Sequence, residues 1–207
     1  LKTPLRYPGG KSRAVQKLFQ FLPKDITEFR EPFLGGGSFA IAITKQYPDL
    51  PIWVNDMYEP LYNFWVQLQK DGEALSASLV ELKKEYNNSD KARELFNDYR
   101  DNIKEGTDLE RAVKFYTLNK CSFSGLTESS SFSPQASDSN WSMRGIYKLP
   151  AYGELIREWR ITCLDYADLV DDCLSRGEIK CDDNTFIYVD PPYSIKDNLY
   201  GQKGNLH

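Results

Sequence analysis

The sequence predicts an α/β fold: a parallel sheet interrupted by a mainly helical insertion. Short β-rich runs end abruptly in a glycine turn or an acidic residue, and amphipathic segments of helical period follow the first of them. The middle of the chain then turns Lys- and Glu-rich and helical before the β-rich runs return.

The elements follow in order. The turn signal Tyr7-Pro8-Gly9-Gly10 precedes Ser12 to Phe21, where Ala14, Val15, Leu18, Phe19 and Leu22 recur at helical spacing. Phe29 to Phe33 is a short strand ending in Gly35-Gly36-Gly37-Ser38, and Phe39 to Ile43 reads as a buried helix behind that turn. Pro51 to Val54 is a second strand, closed by Asn55-Asp56, and Pro60 to Leu68 opens another helix with Leu61, Phe64, Trp65 and Leu68 inward. From about Asp71 to Lys114, Leu75, Leu79, Leu82, Tyr86, Leu95, Phe96 and Tyr99 mark the helices of a separate module. Ser122 to Asn140 is Ser-rich and aperiodic and is expected to be an exposed loop. Ile161 to Leu164 and Phe186 to Val189 resume the sheet, each followed at once by an aspartate, Asp165 and Asp190. The expected division is a discontinuous sheet domain, 1–64 and 160–207, around an insertion, 65–159.

With 207 residues, 41% of them hydrophobic, the chain can build a sizeable core and is not disordered. Its apolar runs fall far short of the roughly 20 residues that span a bilayer, so no membrane role is expected. The opening residues lack the apolar stretch of a secretory signal, and a cytoplasmic location is expected. The four cysteines fit neither a zinc spacing nor a disulfide framework. The single histidine is His207, the last residue, which excludes Ser-His-Asp, Cys-His and His-metal chemistry within these residues. Carboxylates, amides, lysines and backbone groups must do the work, and no metal is expected. The net charge of -4 hides a basic N-terminus (Lys2, Arg6, Lys11, Arg13, Lys17) and basic residues in the middle (Lys114, Lys120, Arg144, Lys148).

Three motifs carry chemistry. Phe33-Leu34-Gly35-Gly36-Gly37-Ser38 puts backbone N–H groups at a helix start with no side chain in a ligand's way. Asp56, about 20 residues further on at the end of the next strand, can take both hydroxyls of a ribose. Together they point to an adenosine-containing cofactor, and Gly35-x-Gly37-x-x-Ala40 keeps NAD among the candidates. Gly9-Gly10-Lys11-Ser12 has the tail of a phosphate loop but lacks its first glycine and its strand. An NTPase is rejected, and Lys11 remains as an anion anchor. Asp190-Pro191-Pro192-Tyr193 is the most specific signal: its prolines force the chain out of the sheet. Asp190 and the Pro191 carbonyl then become fixed acceptors beside the flat face of Tyr193, matching an amino group such as adenine N6.

Tyr7-Pro8-Gly9-Gly10-Lys11, Glu31-Pro32-Phe33-Leu34-Gly35-Gly36-Gly37-Ser38, Asn55-Asp56, Leu118 to Leu126 and Asp190-Pro191-Pro192-Tyr193 occur in this order. In this combination the chain resembles the Dam-like (alpha group) S-adenosylmethionine-dependent DNA adenine-N6 methyltransferases over nearly its whole length. The resemblance implies a Rossmann-like methyltransferase sheet whose C-terminal strands continue beyond this sequence, and a target-recognition insertion. It implies that Tyr7, Gly10 and Lys11 hold the methionine end of S-adenosylmethionine and that Phe33, Gly35, Gly36, Gly37 and Ser38 line it. Asp56 would bind the ribose, Asp165 and Tyr166 would flank the adenine, and Asp190 would close the cofactor site. Asp190, Pro191, Pro192 and Tyr193 would hold the target base. Phe123 would enter the duplex within a base-reading loop that includes Ser124, while Lys120, Arg144 and Lys148 would contact phosphates. The implied partners are double-stranded DNA and, in a bacterial or phage setting, a restriction endonuclease. GATC-specific relatives carry an arginine shortly after the Gly-Leu of this loop; Thr127-Glu128 stands here instead, which points away from GATC.

Overall fold

The computed structural model describes residues 2–7, 14–125, 130–171 and 184–191. Among them, four strands form one sheet in the order β3-β2-β1-β4, every neighbouring pair parallel. β1 is Glu28–Glu31, β2 Ile52–Asn55, β3 Arg160–Thr162 and β4 Thr185–Ile187. Phe29 pairs in register with Ile52 on one side and with Phe186 on the other, so β1 is central. Parallel strands all end at the same edge, so the residues just past Glu31, Asn55, Thr162 and Ile187 gather there.

The first expected helix is shorter than its periodicity suggests: α1 covers only Val15–Leu18, and Phe19–Phe21 tightens into a 3-10 turn. α2 (Ser38–Gln46) follows the glycine turn as expected and buries Phe39, Ala40, Ile41 and Ile43. Phe39 meets Phe29 edge-on at 5.4 Å and Tyr188 at 4.9 Å, locking the helix to β1 and to the segment after β4.

The helix expected to start at Pro60 is the front half of α3 (Glu59–Glu85, 27 residues), which continues into the segment assigned to the module. The change of composition at Asp71 coincides with a kink. Asp71 leaves helical geometry (φ -157°, ψ 78°) and its carboxylate accepts the Ala74 N–H at 2.8 Å, capping the second half. α4 (Ser89–Asp101) starts on an Asn88 cap and α5 (Asp108–Cys121) on a Thr107–Glu110 capping box. Phe64 of α3 lies against Phe115 (5.6 Å) and Tyr116 (5.9 Å) of α5, so the front half of α3 packs on α5 as well as on the glycine turn through Trp65. One continuous hydrophobic core runs from Phe29 and Phe39 through Trp65 to Phe115 and Trp141.

The expected exposed loop at Ser122–Asn140 is a correction. After a 3-10 turn at Phe123–Gly125, Ser122 and Phe132 form an antiparallel bridge and α6 spans Pro134–Asn140. Pro134 opens α6, the Ser133 hydroxyl caps the Ala136 N–H at 3.2 Å, and Ala136 and Ser137 are buried. Small residues make that contact, so there was no apolar periodicity to read. α7 (Met143–Ile146) and α8 (Leu149–Leu155) follow, and α9 (Tyr166–Asp171) comes after β3. The Gln69 side-chain amide donates to the Ile156 and Trp159 carbonyls at 2.8 and 2.7 Å, tying α3 to the turn that launches β3. No helix among the described residues is long and apolar enough to cross a membrane.

α8 crosses α3 very closely. A Cβ on Gly153 would lie 2.4 Å from the Leu68 carbonyl oxygen, a backbone atom that cannot swing aside. Gly153→Ala should therefore cost about 1–3 kcal/mol, the usual range for overpacking. Gly145→Ala, whose nearest atoms would be 3.4 Å away, should stay within about 1 kcal/mol of wild type. Urea unfolding of both variants checks this, and equal effects would contradict the packing described.

Candidate active site

The glycine turn forms because β1 must reverse into α2 within a few residues. Leu34 extends the β1–β2 ladder by donating its N–H to the Asn55 carbonyl (2.9 Å), and the Gly37 N–H closes the turn on the Leu34 carbonyl (2.8 Å). Gly35 and Gly37 sit at φ +50° and +64°, where a side chain is strained, and a Cβ on Gly37 would press on the Trp65 ring at 3.0 Å. The Trp65 indole donates to the Gly35 carbonyl at 3.2 Å. Tyr7 covers the other side: a Cβ on Gly35 would meet its ring at 2.8 Å, and the Thr3 hydroxyl donates to the Gly36 carbonyl. Tyr7 and Gly35–Ser38 are thus brought together as expected. Gly10 and Lys11 lie outside the described residues.

Asp56 reaches the same turn. One carboxylate oxygen accepts the Gly35 N–H at 2.9 Å and the other the Tyr58 N–H at 3.0 Å, which leaves one lone pair on each for hydroxyl donors. Although some of Asp56 is exposed, enclosure of its carboxyl raises the pKa to about 6, against the pull of those two N–H groups. Across β2, Phe33 and Tyr166 pair their rings at 5.4 Å and 32°, with Tyr166 half exposed, a flat apolar wall beside Asp56's strand end. Asp165 is exposed, and its carboxylate accepts the Ala167 N–H at 2.9 Å at the start of α9.

Asp190 and Pro191 follow β4 at the same edge, Asp190 half-buried and Pro191 exposed; Pro192 and Tyr193 lie outside the described residues. Glu31 links the two halves of the site. It is 4% exposed, and its carboxyl accepts the Ala40 N–H at 3.1 Å. Burial holds Glu31 well above the usual carboxylate range, and the neighbouring Asp190 and Asp56 carboxyls add to the rise. Three acids at the ends of β1, β2 and β4 are therefore within electrostatic reach of one another.

Glu31 and Asn55 were quoted in the sequence only as parts of motifs, without a role. The Asn55 amide accepts the Leu164 N–H and the Thr162 hydroxyl (both 2.8 Å) and donates to the Pro32 and Leu164 carbonyls (3.2 and 3.0 Å). It stitches the ends of three strands together. The available signal was a polar side chain directly at a strand end, where the ladder runs out of partners.

The residues expected to face DNA divide. Phe123 is 67% exposed on its 3-10 turn, Ser124 is in that turn, and Arg144 and Lys148 are exposed on α7 and at the start of α8. Lys120 is a correction: it is buried on α5 with its ammonium 5.2 Å above the Tyr116 ring. Burial and then the Arg6 charge lower its pKa to about 8. α5 packs against both α3 and α4 and leaves this lysine inside, which its neighbours in sequence do not reveal.

The structure thus brings to one sheet edge a strand-end acid bound to the glycine turn, an aromatic pair and a second acid following β4. A family model, D12 class N6 adenine-specific DNA methyltransferase, matches residues 7–206. The chain belongs to this family. Among its relatives, the type II methyltransferase M.MjaIII of Methanocaldococcus jannaschii is 26% identical over 93% of this chain and 69% of its own length. The DNA N-6-adenine-methyltransferase of Escherichia phage P1 is 28% identical over 95% of this chain and 24% of its own. The modification methylase LlaI of Lactococcus lactis subsp. lactis is 23% identical over 98% of this chain and 32% of its own. The chain thus spans very different shares of the relatives it matches. Members of this methyltransferase family use S-adenosylmethionine as methyl donor and modify adenine N6 in DNA.

The raised Asp56 pKa has a definite sign. Between its ordinary value of 3.8 and about 6, the folded methyltransferase binds a proton that the unfolded chain has lost, so Asp56's contribution to stability falls as pH rises through that window. The stability difference between wild type and Asp56→Asn should shift in the variant's favour between pH 4 and 7. The expected shift is about 2 kcal/mol, allowing for solvent screening at a partly exposed group. Chemical denaturation at several pH values measures it; a difference independent of pH would contradict the burial of this carboxyl.

Proposed function

We propose that this chain is the catalytic part of a site-specific methyltransferase acting on an adenine flipped out of double-stranded DNA. The observation that carries the reading is the convergence of Asp56, Glu31 and Asp190 at one sheet edge, because it puts a ribose acceptor and a base acceptor on either side of β1. The donor set fits the cofactor: Asp56 keeps a lone pair on each oxygen for ribose hydroxyls, and Phe33 and Tyr166 offer ring faces to adenine. Tyr7, Gly10 and Lys11 complete the site at the methionine end, with Asp165 at the adenine end. When bound, S-adenosylmethionine supplies an electrophilic methyl group on its sulfonium.

The chain's residues must then overcome two difficulties. Adenine N6 is a poor nucleophile because its lone pair is delocalised into the ring, and inside a duplex it is out of reach. In this reading Tyr193 stacks on the flipped base, while Asp190 and the Pro191 carbonyl accept the two N6 hydrogens. These hydrogen bonds favour a pyramidal nitrogen with its lone pair directed at the methyl group. The Asp190 carboxylate would stabilise the positive charge that develops on N6 as the N–C bond forms and the sulfonium S–C bond breaks, and the surplus N6 proton would then pass to solvent. Glu31, whose pKa burial raises, gives α2 its N–H acceptor.

On the DNA side, residues 65–159 form the target-recognition part. The exposed Phe123 enters the duplex beside Ser124, and the exposed Arg144 and Lys148 contact phosphates. Lys120 is set apart from them by its burial. A restriction endonuclease as cellular partner and a cytoplasmic location belong to the same reading.

Asp190→Ala should lower single-turnover methyl transfer to a mixed-sequence duplex at least about a hundredfold, comparable to losing one preorganised electrostatic contact. Its affinity for the duplex should remain within about threefold of wild type. Tyr193→Phe should be mild and Tyr193→Ala severe, because the ring face does the stacking. N6-methyladenine is counted by mass spectrometry, and an Asp190→Ala protein of wild-type rate would refute the mechanism.

A further inference from the structure

Asn119 is 1% exposed, and its whole amide is spent on backbone more than a hundred residues away in the chain and on the corner just after α5. Its Oδ1 accepts the Arg6 N–H at 3.0 Å, and its Nδ2 donates to the Arg6 carbonyl at 2.6 Å and the Gly125 carbonyl at 2.8 Å. The side chain therefore pairs with both main-chain groups of Arg6, as a neighbouring strand would, and holds Gly125 with its remaining hydrogen. The Arg6 guanidinium extends the same way and donates to the Ser122 carbonyl at 2.8 Å. Gly125 adopts φ +80°, and a Cβ there would lie 2.4 Å from the Arg6 carbonyl oxygen. The N-terminal segment and the Ser122–Gly125 corner are in direct backbone contact at this point.

Each end of the clasp leads to a different surface. Tyr7, next to Arg6, lies on Gly35 and Gly36, and Thr3 of the same segment is bonded to Gly36. Phe123, within the corner, is exposed. Lys120, the next residue on α5, lies beside Arg6, and the repulsion between the two charges depends on where Arg6 sits. A buried amide with both N–H groups and its oxygen engaged has little freedom to re-pair, so a shift of Arg6 must either move the corner or leave buried polar groups unpaired.

From this geometry we infer that Asn119 is a positioning residue coupling the glycine turn to the Phe123 corner through Arg6, so that cofactor and duplex DNA bind each other's complex more tightly than the free protein. The inference rests on the functional reading above, in which the turn holds the cofactor and the corner meets DNA. It assigns the amide no contact with either ligand. Coupling of this kind is reciprocal, so the factor by which cofactor tightens DNA binding must equal that by which DNA tightens cofactor binding.

The test uses S-adenosylhomocysteine and a fluorescein-labelled mixed-sequence duplex, each titrated alone and in the presence of saturating amounts of the other. Wild type should show a mutual enhancement of roughly fivefold or more, in the ordinary range of coupling between sites. Asn119→Ala should keep each binary affinity within about threefold while the enhancement falls toward one, a change that general destabilisation does not produce. Arg6→Gln keeps the backbone pairing and removes the Ser122 contact and the charge beside Lys120; it should lower the enhancement partly, and it decides the question if Asn119→Ala does not fold. Wild-type enhancement in whichever of these variants folds overturns the inference and leaves the functional reading standing. A wild-type protein that binds neither ligand overturns both.

Discussion

At the carboxyl edge of the sheet, Asn55 and Asp56 hold the backbone that follows β1, β2 and β3. A parallel sheet leaves main-chain groups without ladder partners where its strands end, and buried groups of that kind must be satisfied. Asn55 supplies those partners for Pro32 and Leu164 and also accepts the Thr162 hydroxyl, and Asp56 supplies those for Gly35 and Tyr58. The consequence is functional as well as structural. The glycine turn, the start of α3 and the Phe33–Tyr166 wall are fixed relative to one carboxylate, so a ligand that engages Asp56 meets all three already in place.

The same edge concentrates negative charge, and the protein manages it by burial. Glu31 and Asp56 both have raised pKa values because desolvation outweighs the N–H groups that they accept. Glu31, almost fully enclosed, is held well above the usual carboxylate range. α3 then extends this ordered edge into the helical region. Its front half places Trp65 under the glycine turn and Phe64 against α5, and its kink at Asp71 redirects the second half without breaking the shared core.

Where each segment buried apolar side chains at a regular period, the fold was legible in the sequence: α2 and the front of α3 were readable, and the β-rich runs marked strands that fall within a residue or two of their structural limits. The site was legible where residue type and position coincide, as with Asp56 after a strand and glycines before a helix. Four features were not. α6 packs with Ala136 and Ser137, too small to leave a hydrophobic pattern, and so it resembled a loop. Lys120 looked like a surface cation because burial depends on which helices flank α5, a tertiary fact. Glu31 and Asn119 act through hydrogen bonds to distant backbone, for which the sequence carries no periodic signal.

The central claim is that the edge organised by Asn55 and Asp56 is the S-adenosylmethionine site. A crystal structure of the chain in complex with S-adenosylhomocysteine tests it most directly. The ribose hydroxyls should lie within hydrogen-bond distance, about 2.5–3.0 Å, of the Asp56 carboxylate, with the adenine against Phe33 and Tyr166 and the sulfur facing Asp190. A nucleoside bound elsewhere, or a ribose that leaves Asp56 paired only with Gly35 and Tyr58, would contradict it.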